Sequence, residues 1–187
     1  MGDMSTVQHL TTDQLDAGLV HIAASPREVG TVEMIVRRPD VDGREVLDEG
    51  ALVVGEGLVG DNYLTRPNPK SPDGSAHPEA QLNLMNSRAV DLVAAGDRER
   101  WPLAGDQFFV DLDLSVDNLP TGTRLSIGTA QIEVAAKPHN GCAKFAARFG
   151  QDAARWVNRI KDERRRGLNA MVVRSGSVRV GDPITKL

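Results

Sequence analysis

The sequence predicts a mainly β, α+β fold: a barrel-like, strongly coiled mixed sheet with a few peripheral helices. Three observations lead there. Short, β-branched segments recur along the chain with turn residues between them. Helical periodicity occurs only at intervals. The length, 187 residues, is about one domain at roughly 150 residues each. A chain of this size buries about 70% of the surface it exposes when unfolded, and an apolar content of 40% supplies a core.

Leu15, Leu19 and Ile22 fall at i, i+4 and i+7 between Thr12 and Ser25, with Thr12 or Asp13 as cap. That spacing predicts a helix, ended by Pro26. Thr31 to Arg38 alternates, with Val32, Met34 and Val36 set against Glu33, Ile35 and Arg37, and reads as a strand closed by Pro39. A second strand is expected at Ala51 to Val54, before the glycines at 55, 57 and 60. Arg66 to Ala80 holds four of the ten prolines and few apolar side chains, so it is a surface loop. Gln81 to Met85 reads as a strand, and Asn86 or Ser87 caps a helix carrying Val90 and Val93 that Gly96 ends. Gln107 to Leu112, Arg124 to Ile127 and Gln131 to Ala135 read as sequential antiparallel strands. A helical block from Cys142 to about Asp162 follows, and Leu168 to Arg174 and Ser177 to Val180 return to β.

Composition narrows the function. Twenty-two Lys and Arg against 26 Asp and Glu leave a net charge of −4, so no overall cationic field drives binding to a phosphate backbone. Aromatic residues at 4% are too few for base-stacking platforms. No nucleic-acid partner is expected. The single cysteine excludes an intrachain disulfide and multi-thiolate zinc sites, which points to a reducing compartment. Met1 to Leu10 has no apolar h-region, and no apolar run approaches the roughly 20 residues of a membrane span. A cytoplasmic protein with no membrane association is expected. The charge cluster Lys161 to Arg166 reads as a solvated helix end, its cations favoured by the helix dipole, with an anion site as the rival.

The stretch Lys137-Pro138-His139-Asn140-Gly141-Cys142-Ala143-Lys144-Phe145 carries the chemistry. Pro138 and Gly141 make a sharp strand-to-helix turn, and Cys142 falls near the helix start, where free N–H groups and the dipole favour a thiolate. His139 and Lys144 add positive charge. A thiolate serves a soft metal ion, a persulfide carrier or a nucleophilic enzyme. The competing reading is structural. Cys142, Phe145, Ala146 and Phe149 lie at i, i+3, i+4 and i+7, so the thiol can equally be a small buried hydrophobe. A Cys142–His139 hydrolase is disfavoured, since three residues across a tight turn suit base and thiol poorly and no orienting carboxylate lies nearby in sequence. His9 and His21 read as surface or packing residues, while His77 lies in a loop able to cover a cleft. The pair Gly-Asp recurs at 60/61, 105/106 and 181/182. Asp61 and Asp106 read as strand-end turns or as acceptors for a ligand's N–H donors.

The succession Gly60-Asp61, Gln81-Leu82-Asn83, Gly105-Asp106-Gln107, Gly122 to Gly128, Pro138 to Phe145 and Val180-Gly181-Asp182-Pro183 resembles the MOSC domain. That domain forms the C-terminus of molybdenum cofactor sulfurases and occurs as stand-alone bacterial proteins. The resemblance covers residues 29–187, leaving 1–28 as an N-terminal helical extension. It implies a β-rich barrel with a cleft for the molybdenum cofactor in its molybdopterin form. Cys142 inherits the role of molybdenum ligand or sulfur carrier, the catalytic and metal position. His139, Asn140, Gly141, Lys144, Arg148, Asp61, Asn62 and Asp106 are the cofactor-binding candidates, with Lys144, turn N–H groups and Arg148 receiving the pterin phosphate.

The implied activity is reduction of N-hydroxylated or similar small molecules, with a separate electron donor protein, or sulfur carriage with a sulfur donor protein. Nothing resembles the pyridoxal phosphate domain that generates such sulfur. Members of the hydroxylaminopurine-resistance type carry Pro-Arg-x-Pro-Cys, whereas this chain has Pro138-His139-Asn140-Gly141-Cys142, which replaces a bidentate anion clamp by a partly charged imidazole. Asn62 and Tyr63 stand where a histidine commonly follows Gly-Asp. The alternative is a non-catalytic barrel module that binds a small ligand or a partner domain, with Cys142 structural.

Overall fold

The computed structural model describes residues 7–187, so the first six residues of the expected extension lie outside the described part. Among the described residues eleven strands form two sheets: β1 (Val29–Arg37), β2 (Glu45–Leu47), β3 (Glu49–Val53), β4 (Gly57–Leu58), β5 (Leu82–Asn86), β6 (Phe108–Asp111), β7 (Arg124–Ile127), β8 (Ala130–Val134), β9 (Leu168–Arg174), β10 (Gly176–Arg179) and β11 (Pro183–Lys186). The large sheet runs β11-β7-β8-β9-β5-β6-β1-β2, and pairing of β11 with β1 closes seven of its strands into a barrel. Closure removes the exposed edges an open sheet would leave. The small sheet, β10-β3-β4, flanks it.

Two strand expectations change. Gln107 to Leu112 does not pair with the strands after it: β6 pairs in parallel with β5 and antiparallel with β1, and of these three segments just β7 and β8 form a hairpin. A parallel pair needs a crossover, here helix α3 (Ser87–Val93) and the 3-10 turn Arg98–Ala104. In β1 the simple alternation fails, because a bulge between Val32 and Met34 resets the register. Val32 and Ile35 therefore enter the barrel core, while Met34 and Val36 face the helices. β9 and β10 do not pair with each other; β10 leaves for β3, and the strand β11 completes the barrel.

Two apolar clusters result. One fills the barrel with inward side chains such as Leu84, Phe108 and Ile132. The other lies between the outer barrel face and the helices. The expected helix 12–25 is two pieces, α1 (Thr12–Ala17) and α2 (Leu19–Ala23), broken at Gly18 and capped by Thr11 in a reciprocal box with Gln14. The block 142–162 likewise divides at Gly150 into α4 (Ala143–Phe149) and α5 (Gln151–Arg159). Leu15, Phe149 and Trp156 share the outer cluster, and Trp156 Nε1 donates to Asp16 at 2.9 Å, so the extension packs into the body of the molecule. Arg66 to Ala80 is a loop apart from one 3-10 turn at Pro78–Ala80. No helix is long and apolar enough to cross a membrane among the described residues.

Candidate functional site

Strand alternation places the site outside the barrel. Leu82, Leu84, Leu168 and Ala170 point into the core, so Asn83 of β5 and its cross-strand neighbour Asn169 of β9 point outward. Asn83 Nδ2 donates to Asn169 Oδ1 at 2.5 Å. Asn169 Nδ2 in turn donates to the carbonyls of Lys137 and Pro138, at 3.0 and 3.2 Å. From the other side, Asn158 of α5 accepts from the Gly141 N–H at 2.8 Å and donates to its carbonyl at 3.1 Å. Two asparagines thus fix the turn that presents Cys142.

Cys142 is the N-cap residue of α4, with an extended backbone (φ −111°, ψ −179°) and no capping bond from its side chain. Its thiol is exposed. Phe145, Ala146 and Phe149 are buried as their spacing requires, but Cys142 precedes the first helical turn and does not join their face. The buried-hydrophobe reading of the thiol is therefore corrected. It lines a cavity of about 370 Å³ bounded by the loop after β1, the end of the 104–105 turn, the 137–142 turn and α4.

The cavity wall holds seven cationic side chains against two carboxylates, Asp40 and Asp42. The two deepest cations are neutralised. Arg38 makes a bidentate pair with Asp61, Nε to Oδ2 at 2.9 Å and Nη2 to Oδ1 at 2.8 Å, and its Nη1 donates to Asn83 Oδ1 and the Gly105 carbonyl at 3.0 Å each. Arg166 Nη1 donates to Asp106 Oδ2 at 2.6 Å, with its side chain 6% exposed and that of Asp106 0%. Asp106 Oδ1 lies 2.7 Å from His139 Nε2. Burial pushes the Asp106 carboxyl up, but the charge of Arg166, with His139, more than offsets it, leaving it below the usual carboxylate range. Burial and then the Arg166 charge lower His139, outweighing the attraction of Asp106. His139 is accordingly neutral at pH 7.

The shallower cations lack a buried carboxylate partner. Among the described residues Arg44 donates only to the carbonyls of Pro102 and Gly43, and burial, then repulsion from Arg148 and Arg38, lowers its pKa. Arg66 is lowered by burial and by Arg38. Lys144 and Arg148 share Asp42, at 3.0 and 2.9 Å from its Oδ1. Asn62 is buried against the same cavity, and its Oδ1 has no hydrogen-bond partner. An excess of cations beside an orphaned acceptor fits a ligand with an anionic group and an N–H donor.

Of the candidates from sequence, Cys142, His139, Asn140, Lys144, Arg148 and Asn62 line one cavity. Asp61 and Asp106 stand behind it, fixing Arg38 and Arg166, and Gly141 faces the open groove beside α5. Sequence reasoning missed Arg38, Arg44, Arg66 and Lys137, and held Arg166 only within the rival anion-site reading of Lys161 to Arg166; the outward parity of Arg38 with Met34 and Val36 was the available signal. The solvated reading of Lys161 to Arg166 holds for Lys161 to Glu163, which are exposed, and is corrected for its last two residues. Arg165 and Arg166 are buried, Arg165 stacked over Trp156 at 4.6 Å and Arg166 over Phe145 at 5.0 Å, because a left-handed Arg164 (φ 46°) and Gly167 (φ 109°) turn the chain back under the barrel. His77 lies outside this wall, its Nδ1 accepting from the Glu79 N–H.

Several solved structures share the fold. The YuaD protein from Bacillus subtilis aligns at 18% identity and a TM-score of 0.57, over 83% of this chain and 94% of that one. YiiM from Escherichia coli aligns at 20% identity and 0.54, over 84% and 69%. A further crystal structure of a hypothetical protein aligns at 21% identity and 0.56, over 89% and 70%. No curated protein sequence matches significantly. Residues 72–185, more than half of the sequence and including the 137–145 turn, match the MOSC domain. With that match, the closed barrel and a cysteine at the mouth of its outer cavity, the chain belongs to the MOSC domain family.

Proposed function

We propose that this protein binds the molybdenum cofactor in its molybdopterin form and uses Cys142 as the sulfur ligand of the metal, as an oxidoreductase acting on N-hydroxylated or similar small molecules. One observation carries the reading: the sole thiol is exposed on the wall of a cavity whose other groups suit a bulky, anionic, N–H-bearing guest. The volume falls within the usual range for small-molecule sites, about 300–1,000 Å³. Arg44, Arg66, Lys144 and Arg148 would receive the phosphate by charge-assisted hydrogen bonds. Asn62 Oδ1, buried without a donor, would accept from a ring N–H. When bound, the group supplies two-electron oxygen-atom chemistry.

The chain's own contribution is positional. Asn158 and Asn169 hold the turn that places Cys142 on the cavity wall. Asp61 and Asp106 hold Arg38 and Arg166 in the wall. His139, neutral and bonded to Asp106, contributes an uncharged imidazole to the cavity wall. Electrons come from a separate donor protein. Sulfur carriage is the second reading, favoured by the fact that Cys142 also borders an open groove with Gly141, Ala146 and Ala154, which gives a partner protein access to the sulfur.

Expression in a host that makes the cofactor, followed by metal analysis and pterin fluorescence on the wild type and Cys142→Ser, tests the proposal. Molybdenum and pterin should co-purify with the wild type, and molybdenum should be lost in the variant. A wild type with neither, beside loaded controls, sinks it; metal retained by Cys142→Ser removes the proposed ligand.

A further inference from the structure

We infer that Asp42 is the cavity's own counter-anion, occupying the place of a ligand's anionic group and leaving when that ligand enters. The inference rests on the reading of the cavity as an anion site. Lys144 Nζ and Arg148 Nη2 both donate to one oxygen, Asp42 Oδ1, at 3.0 and 2.9 Å, and all three residues line the cavity that Cys142 borders. The carboxylate arrives on the loop between β1 and β2, not from an element of the barrel.

Its hold is of a kind made to be exchanged. The Asp42 side chain is 58% exposed, and exposed ion pairs are individually weak. The residue sits at φ 63°, a left-handed conformation uncommon for a non-glycine residue. Neighbouring Val41 is also exposed, at 70%, so no apolar anchor fastens the tip. The two cations hold Asp42 below the usual carboxylate range, Lys144 contributing most, so it stays ionised across neutral pH. A phosphomonoester or pyrophosphate carries more charge than one carboxylate and more acceptor oxygens. Such an anion can satisfy Lys144, Arg148 and also Arg44, which has no carboxylate hydrogen-bonded to it among the described residues, where Asp42 bonds only the first two. Ligand entry is then an exchange of anions, and small monovalent anions compete poorly with the tethered carboxylate.

The test uses inorganic pyrophosphate as the probe, titrated calorimetrically at fixed ionic strength into the wild type, Asp42→Asn and Lys144→Gln. Asparagine tolerates the left-handed backbone, so the loop keeps its path. Asp42→Asn should bind about threefold tighter or more, the factor matching release from one exposed ion pair, and Lys144→Gln should bind more weakly than the wild type. Amide hydrogen exchange across residues 40–43 of the wild type should quicken at saturating pyrophosphate. Equal or weaker binding by Asp42→Asn, or unchanged exchange in a saturated wild type, overturns the inference while leaving the cofactor proposal intact. No binding to any of the three proteins removes the anion site itself, and the inference with it. Metal and pterin content, read separately, reports on the cofactor proposal.

Discussion

Asp106 shows how one residue organises the site without lining it. Its fully buried carboxylate takes Arg166 on one oxygen and His139 on the other. Removing the charge leaves Arg166 buried and uncompensated, which costs about 3–5 kcal/mol for a broken buried pair. Asp106→Asn should lower unfolding free energy by about 3 kcal/mol, read from the urea midpoint at unchanged slope. The same cluster sets a pH dependence. His139 and Asp106 both lie below their ordinary values when folded, so in acid the unfolded chain binds more protons than the native one. The contribution of this cluster to stability is complete above about pH 6.5, the ordinary histidine value, and falls as pH drops through the lowered His139 value and then that of Asp106. His139→Gln, which preserves a donor to Asp106, should flatten the first part of that decline in urea midpoints measured against pH. The pairing of Asp106 with His139 and Arg166 spans 33 and 60 residues of sequence, and no local spacing announces it.

At the scale of elements, the helices and strands stop where the backbone demands. Gly167 is the sharpest case. Its φ is 109°, and a Cβ there would stand 2.0 Å from the Leu84 carbonyl oxygen. Both the conformation and the approach exclude other residues. This tight passage lets the chain deliver Arg166 to the cavity and enter β9 one residue later. Gly167→Ala should destabilise the protein by at least about 1 kcal/mol and weaken anion binding in the same preparation, seen by thermal melting and pyrophosphate titration. Local signals were legible where they were chemical: Asn86 caps α3 by accepting from the Ala89 N–H at 3.0 Å, and Arg124 to Ile127 is a strand with those bounds. They failed at Gly18 and Gly150, where a continuous apolar stripe conceals a break, and at β1, where a bulge changes parity without altering composition.

For the whole molecule, barrel closure decides which faces are inside. Closure leaves inward residues to an apolar core and sends Asn83, Asn169 and Arg38 outward to a common edge. Helices α4 and α5 then roof that edge, and the thiol at the start of α4 stays in solvent. In the folded apo protein, Cys142 should react with an alkylating reagent at a rate near that of the unfolded chain, followed by mass spectrometry. A rate slowed by orders of magnitude would contradict the exposure. Pyrophosphate affinity should also fall with added salt, since the cavity acts through several cations at its rim, although the protein as a whole is an anion.

From the residue order alone come the fold class, most strand positions, the site-bearing turn and its thiol, because these depend on local periodicity, turn chemistry and an ordered set of short motifs. Tertiary structure alone decided that the thiol is exposed, that Asp61 and Asp106 serve arginines rather than a ligand directly, and that an acidic chain carries a cationic cavity. Those facts depend on long-range closure and on the desolvation of charges brought together from distant segments, which no local pattern encodes.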